Sequence, residues 1–193
     1  MERIGEVIEA TTQAFTTQCY ELYHLPPMGS LVRVGDPPIY GVVGEEATLS
    51  IEPGRRPIAR GQAEESEAAL YRNSPQLMKL LRSEFTSLAV GGRFEGKLLH
   101  RLSPIPPAIH SFVYSCSDEE IREFSKSLDF LGILLASRGA TNREELVSSC
   151  LRQMAAVYPD PHVFLVKAGK ELTRLLRGDF RELRLILGRL SNE

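Results

Sequence analysis

Short stretches rich in β-branched and aromatic residues, separated by turn residues, fill the start of this 193-residue chain. Four of them fit β-strands, at residues 4–9, 15–23, 30–34 and 39–43. The segments between them hold residues typical of turns, namely Pro26-Pro27, Met28-Gly29 and Gly35-Asp36-Pro37-Pro38. Short strands at this spacing predict a small barrel or sandwich, an architecture that many unrelated binding modules share.

A helical pattern interrupts these strands near residue 63. Residues 63–71 are rich in Glu and Ala, and Ser74-Pro75 is a typical helix start. Strand patterns return at residues 85–90, 94–102 and 109–116, and Gly91-Gly92 predicts a hairpin turn between the first two, because glycine adopts positive φ without a steric penalty. We therefore predict one small antiparallel β-barrel domain over residues 1–116, with residues 63–83 as a helical insertion.

The remaining residues, 117–193, carry start signals for helices. Capping boxes begin at Ser117 and Thr141, and Asp160 and Asp179 are further N-cap candidates. The first of these helices is predicted to run from Ser117 through about Ser137, where Arg138-Gly139 ends it. Together the signals predict a C-terminal four-helix domain, so the whole chain is expected to be an α+β protein.

Composition and charge point to an ordinary globular protein. The chain is 42% hydrophobic and 25% charged, and its net charge of −2 gives no general attraction to nucleic acid or to an anionic membrane. The N-terminus lacks the apolar core of a signal peptide, and the most apolar stretch, residues 128–136, is too short to cross a bilayer. These features predict a cytoplasmic protein without a membrane contact, with its three cysteines as packed, reduced thiols.

No pattern of catalytic or metal-binding residues stands out in the sequence. A GxxxxGK[ST] phosphate-binding loop is absent, and the three cysteines lack metal-ligand spacing. The same holds for the four histidines, His24, His100, His110 and His162. The sequence therefore predicts a protein that is not an enzyme and that uses no cofactor or metal.

Two groups of basic residues are candidate contact sites for a partner or for nucleic acid. Arg55 and Arg56, in a turn close to Arg60, offer guanidinium groups to phosphate or to acidic side chains. The alternative is a solvated loop neutralised by the glutamates after it. The second group recurs at helical spacing and consists of Lys167, Lys170, Arg174 and Arg177. This line fits a phosphate backbone or an acidic protein surface, or else an amphipathic helix whose long basic side chains lie beside the core.

The N-terminal strands also resemble a known barrel. The stretches that carry the likeness are Ile4-Gly5-Glu6-Val7-Ile8, Phe15-Thr16-Thr17-Gln18-Cys19-Tyr20-Glu21-Leu22, Gly29-Ser30-Leu31-Val32-Arg33-Val34 and Ile39-Tyr40-Gly41-Val42-Val43. They resemble the HAS barrel, which HerA-type DNA-translocating ATPases share with the catalytic-head subunits of rotary ATP synthases. In that family the barrel precedes a RecA-like ATPase core and packs around a hexameric ring. Here a helical tail stands in place of that core, so the resemblance implies a stand-alone HAS-barrel protein that is accessory to a separate HerA-type ATPase.

Three functions remain open from the sequence. The leading one is a non-enzymatic interaction or adaptor module in DNA processing, with a HerA-type ATPase as its protein partner. The second is direct binding of DNA or RNA by the barrel, with Tyr20, Tyr23 and Tyr40 stacking on bases. The third is an enzyme with a site at the junction of barrel and helical domain, built from His100, His110 and the Arg55 loop. Oligomer formation is compatible with each of them.

Overall fold

The computed structural model describes residues 2–52, 54–137 and 142–190, and within them the fold is α+β. The strands are β1 (Arg3–Ala10), β2 (Ala14–Cys19), β3 (Leu31–Val34), β4 (Ile39–Ser50), β5 (Leu81–Phe94), β6 (Lys97–Leu99) and β7 (Phe112–Ser115). The helices are α1 (Glu67–Asn73), α2 (Asp118–Phe124), α3 (Phe130–Ala136), α4 (Arg143–Ala156), α5 (Pro161–Leu175) and α6 (Phe180–Leu190), and a 3-10 helix spans Pro75–Leu80.

The strands form one antiparallel sheet that closes on itself. Its strand order is β2-β1-β7-β3-β4-β5-β6, and an additional pairing between β2 and β5 joins the two sides into a ring. The interior of the ring is filled by apolar side chains from different strands, including Val7, Phe15, Val32, Phe85 and Val113. These observations confirm the α+β class and the antiparallel sheet predicted from the period-two pattern.

The helices cover the opposite face of part of this sheet. Leu31, Tyr40 and Leu88 point away from the ring interior and belong to one buried cluster with Phe124 and Leu131 of the helices. Side chains alternate between the two faces of a strand, so β3, β4 and β5 contribute to both cores. The helical part therefore rests directly on the sheet. The predicted boundary near Cys116 falls just after β7 and remains a prediction.

The hairpin turn predicted at Gly91-Gly92 is wrong. Both glycines lie inside β5, where Gly91 pairs with Tyr40 of β4. A side chain at Gly91 has no room, because a Cβ there would lie 2.8 Å from the carbonyl oxygen of Leu99. The turn between β5 and β6 lies instead at Glu95 and Gly96, which both have positive φ.

The single helix predicted from Ser117 to about Ser137 is two helices, α2 and α3. Its capping box at Ser117 is confirmed. The first helix ends at Phe124 with Ser125 as its C-cap, and the side chain of Ser127 then bonds to Asp129 in the turn before α3. Five helices therefore follow β7 in the part of the chain that the structure describes, rather than the predicted four.

The predicted start of α5 is confirmed, whereas the predicted start signals of α4 lie outside the described residues. The signals at Arg138-Gly139 and Thr141 lie outside the described residues, and α4 has Asn142 as its N-cap. Asp160 caps α5 as predicted, since its side chain accepts from the backbone N–H of Val163.

The predicted insertion is the connection between β4 and β5. These strands stay paired up to Ser50 and Leu81, and the chain between them contains α1 and the 3-10 helix. The backbone N–H of Ile51 donates to the carbonyl of Leu80 at 2.9 Å, which holds the two ends of this connection together. We call residues 51–52 and 54–80 the connecting segment.

Candidate interaction surfaces

The connecting segment is held in a defined shape by local capping and by contacts to β5 and to the loop after β2. Ser66 caps α1 by accepting from Ala69, and Pro75 opens the 3-10 helix. The hydroxyl groups of Tyr23 and Tyr71 lie 2.8 Å apart and link the loop after β2 to α1. Large apolar side chains are nevertheless exposed here, because the segment has no second layer to cover it. They are Ile51, Ile58, Met78 and Leu80.

A groove of about 310 Å³ lies within this segment. Its apolar lining includes Leu70, Leu77 and Leu80, which α1 and the 3-10 helix place beside one another. Three arginines, Arg55, Arg56 and Arg60, line the same groove and are exposed. We call it the arginine-lined groove. The sequence singled out these arginines, but it gave no sign of the apolar surface that the fold brings to them.

The charge of this groove is positive. Nη1 of Arg55 lies 2.8 Å from Oε2 of Glu52, and this contact raises the pKa of Arg55. Arg56 and Arg60 form no ion pair with any residue in the described ranges. Glu64, one of the glutamates that follow these arginines, accepts from the side-chain amide of Asn73 at 2.8 Å. The alternative of a solvated loop balanced by those glutamates stays a prediction.

Three members of the predicted basic line, Lys167, Lys170 and Arg174, lie on α5, whereas Arg177 lies in the turn after this helix ends at Leu175. All four are exposed, and the protein itself engages two of them. Nη2 of Arg174 lies 2.5 Å from Oε1 of Glu171, which raises the pKa of Arg174. Nζ of Lys167 donates to the backbone carbonyl of Lys126 at 2.5 Å. Lys170 and Arg177 are exposed and form no ion pair with the described residues.

The two groups of basic residues lie on different parts of the molecule. The α5 helix packs against α4 and α6, whereas the 3-10 helix of the connecting segment packs against β5. The structure therefore does not bring Arg55 and Arg56 together with Lys170 and Arg177 into one basic surface.

A second exposed surface combines an arginine with aromatic rings on β1, β7 and the end of β2. The guanidinium of Arg3 lies 4.7 Å from the ring centre of Phe112 and 5.2 Å from that of Tyr20. Glu6 lies in the middle of this surface, accepting from Tyr20 Oη at 2.8 Å and lying 3.0 Å from Nδ1 of His110. These contacts, with His110 the larger, lower the pKa of Glu6. We call Arg3, Glu6, Tyr20 and Phe112 the aromatic patch.

Only one of the three tyrosines expected to stack on bases belongs to this patch. Tyr40 is 2% exposed and packs in the core, 5.2 Å from the ring of Phe124. Its place in a base-binding surface is therefore wrong, because the register of β4 turns Tyr40 toward the helices. Tyr23 lies in the loop after β2, where its hydroxyl is hydrogen-bonded to that of Tyr71.

The histidines expected at the junction of sheet and helices do not form a site there. His100 packs between aromatic rings, 4.4 Å from Phe124 and 5.5 Å from Phe130, and burial lowers its pKa. His110 is exposed and contacts Glu6. The junction does hold a cavity of about 460 Å³, but it is lined by other residues, including His24, Cys116 and Gln153.

Cys116 and Gln153 both line the junction cavity. Burial raises the pKa of Cys116, so its thiol is less readily ionised than a free one. Gln153 accepts from Ser30 Oγ at 2.7 Å and donates to the carbonyl of Met28, which leaves its amide engaged in packing the junction. Across the described residues, no three His, Cys, Asp or Glu side chains gather as a metal site would require.

No helix in the described ranges is long and apolar enough to cross a membrane. The sequence was also compared with known proteins. No protein-family model matches the chain, and no curated protein matches it.

Proposed function

We propose that this protein is a non-enzymatic, cytoplasmic interaction module that acts as an accessory to a HerA-type DNA-translocating ATPase. The observation that carries the proposal is the arginine-lined groove. It combines exposed apolar side chains with charged neighbours in a concave surface, and such patches mark protein contact sites. The packed core elsewhere leaves this segment without an evident structural need for its apolar side chains.

The ring-shaped sheet supports the barrel part of the proposal. The strands β1, β2, β3, β4, β5 and β7 close through the pairing of β2 with β5, as expected of a HAS-like barrel. Apolar side chains such as Phe15 and Phe85, each 1% exposed, fill its interior. A filled ring offers its outer surface to partners rather than a lumen to a ligand.

Affinity capture tests the partner. The tagged chain is purified from its native host with and without nuclease treatment, and the recovered proteins are identified by mass spectrometry. We expect a HerA-type ATPase in both samples, and its binding is then confirmed by size-exclusion chromatography of the two purified proteins. Purified proteins that fail to co-elute at low salt contradict the proposal.

Direct nucleic-acid binding is a second candidate, favoured by the aromatic patch. Arg3 spans Tyr20 and Phe112, so a base and a phosphate would find a ring and a guanidinium side by side. The carboxylate of Glu6 in the same patch opposes a phosphate. Oligonucleotide binding that falls steeply with salt and is lost in Tyr20→Ala and Phe112→Ala would favour this candidate over the first.

A further inference from the structure

The arginine-lined groove has an apolar floor. Leu70, Leu77, Leu80 and Leu81 line it together with the ring of Tyr71. Its volume of about 310 Å³ is at the small end of the range of ligand pockets. A short chain segment fits such a groove, whereas a folded domain needs a broader surface.

The polar part of the groove selects for negative charge. Its lining has three arginines and one carboxylate, Glu52, which leaves a formal charge of +2 by difference. The carboxylate of Glu52 pairs with Arg55, and within the described ranges neither Arg56 nor Arg60 forms an ion pair, which leaves their guanidinium groups available to a ligand. A planar guanidinium binds a carboxylate through two parallel hydrogen bonds, which gives affinity and direction together.

From these observations we infer that the groove binds an acidic peptide segment whose carboxylates flank one or two large apolar residues. The inference rests on the proposed function, in that the segment belongs to the partner protein. The apolar residue packs on Leu77 and Leu80, and the carboxylates meet Arg56 and Arg60. This names the chemistry of the partner that the groove recognises.

The same lining disfavours a nucleic acid as the occupant. Single-stranded nucleic acids bind through successive aromatic faces, and the groove has one aromatic ring, that of Tyr71, whose hydroxyl lies against Tyr23. The remaining floor is aliphatic, which suits Leu, Ile or Phe side chains better than bases.

The test is a titration of the full chain with fluorescent synthetic peptides, followed by anisotropy. The probe is a short peptide in which Asp and Glu flank a Leu-Phe pair. Two comparison peptides replace either the Leu-Phe pair with serines or the acidic residues with lysines, and an oligo-dT of similar length reports on phosphate binding. We expect the acidic apolar probe to bind, and each comparison molecule to bind at least about tenfold more weakly.

Matched variants locate the site. Arg56→Gln with Arg60→Gln is expected to weaken probe binding about tenfold or more, since two charge-assisted hydrogen-bonded pairs are lost. Lys170→Gln with Arg177→Gln, the α5 variant, removes the same charge from α5 and the turn after it, and is expected to change probe binding by less than about twofold. Leu77→Ser tests the apolar floor, with circular dichroism and melting temperature confirming that each variant folds.

Several outcomes overturn the inference. These are no binding of the acidic probe at low salt, equal weakening by the α5 variant, and oligo-dT binding that the Arg56 and Arg60 changes abolish. A self-association of the chain that those changes abolish would assign the groove to a second copy instead.

The partner experiment separates this inference from the proposed function. If the Arg56→Gln, Arg60→Gln chain captures the HerA-type ATPase as well as the wild type does, the accessory function holds and the groove inference fails. If the probe binds through the two arginines and no such ATPase is captured, the groove stands and the partner assignment fails.

Discussion

Apolar side chains are buried between the sheet and its helices but exposed in the connecting segment. On the sheet face, Phe130 and Leu131 are fully buried in a cluster that joins strands to helices. In the connecting segment, Ile58 is 76% exposed and Leu80 is also exposed, although both are as apolar as the core residues. Burial gives the first group its stabilising effect, and its lack leaves the second group available for contact.

The largest expected effect tests this contrast directly. Phe130→Ala removes a fully buried ring that contacts Phe124 and His100, so we expect it to lower the free energy of unfolding by about 3–5 kcal/mol. Ile58→Ala is the matched change in the connecting segment and should stay within about 0.5 kcal/mol. Urea unfolding followed by circular dichroism measures both. Comparable losses for the two variants would show that the connecting segment is part of the core.

The same contrast between burial and exposure holds for two ion pairs, Arg143–Glu182 and Arg174–Glu171. Nε of Arg143 lies 2.7 Å from Oε1 of Glu182, which is 8% exposed, and Nη1 donates to the carbonyl of Leu135. Arg143→Met leaves that carboxylate without its cation, and we expect a loss of about 2–3 kcal/mol. Arg174→Met breaks the exposed pair with Glu171 and should cost under about 1 kcal/mol. Equal costs in urea unfolding would argue that the Glu182 carboxylate is solvated.

Alanine substitutions at Gly91 and Gly188 test whether Gly91 lies inside a strand or in a turn. Gly91→Ala places a Cβ 2.8 Å from the Leu99 carbonyl oxygen and 3.2 Å from the Phe124 ring, so we expect a loss of about 1–3 kcal/mol. Gly188→Ala lies in α6 with open space around it and should be neutral or stabilising by up to about 1 kcal/mol. Thermal unfolding of the two variants compares them. A harmless Gly91→Ala would contradict its close approach to β6.

What the sequence could predict is what neighbouring residues decide. The alternation in β1 to β4 and the caps at Ser117 and Asp160 are local signals, and the structure confirms these elements. Gly91 was misassigned because a glycine required by a neighbouring strand looks, in sequence, like a glycine required by a turn. The deciding contact, with Leu99, comes from β6.

In the candidate site, too, the sequence predicts the local features and misses those that depend on the fold. Arg55 and Arg56 were evident as a basic pair, yet the groove beside them forms only when the fold brings Leu70 and Leu77 to them. The sequence predicts a surface position for Tyr40. The pairing register of β4 with β5, which includes a bulge after Tyr40, turns its side chain toward the helices instead. Such features depend on pairing between distant residues and have no signature in a single stretch of sequence.

A smaller effect, dependent on pH, follows from His100. Burial lowers its pKa in the folded state, so below its ordinary value the unfolded chain takes up the proton first. Stability from the neutral imidazole is therefore present above about pH 6.5 and is lost as the pH falls through the folded-state pKa. We expect the stability difference between wild type and His100→Gln to shrink on going from pH 7 to pH 5 in urea unfolding. Parallel pH profiles for the two proteins would exclude this contribution.

The smallest expected effect concerns the basic line on α5, which contrasts with the arginine-lined groove. Arg174 and Lys167 already have partners within the protein. Lys170 is exposed on α5, and Arg177 is exposed in the turn that follows this helix. Lys170→Ala with Arg177→Ala should therefore change the free energy of unfolding by no more than about 0.5 kcal/mol. It should also leave any oligonucleotide affinity and its salt dependence unchanged, whereas two lost phosphate contacts would lower the salt slope by about two. Oligonucleotide titrations at several salt concentrations measure this. A reduced slope would make α5 a phosphate-tracking helix, and the groove would then no longer be the main basic contact surface of the molecule.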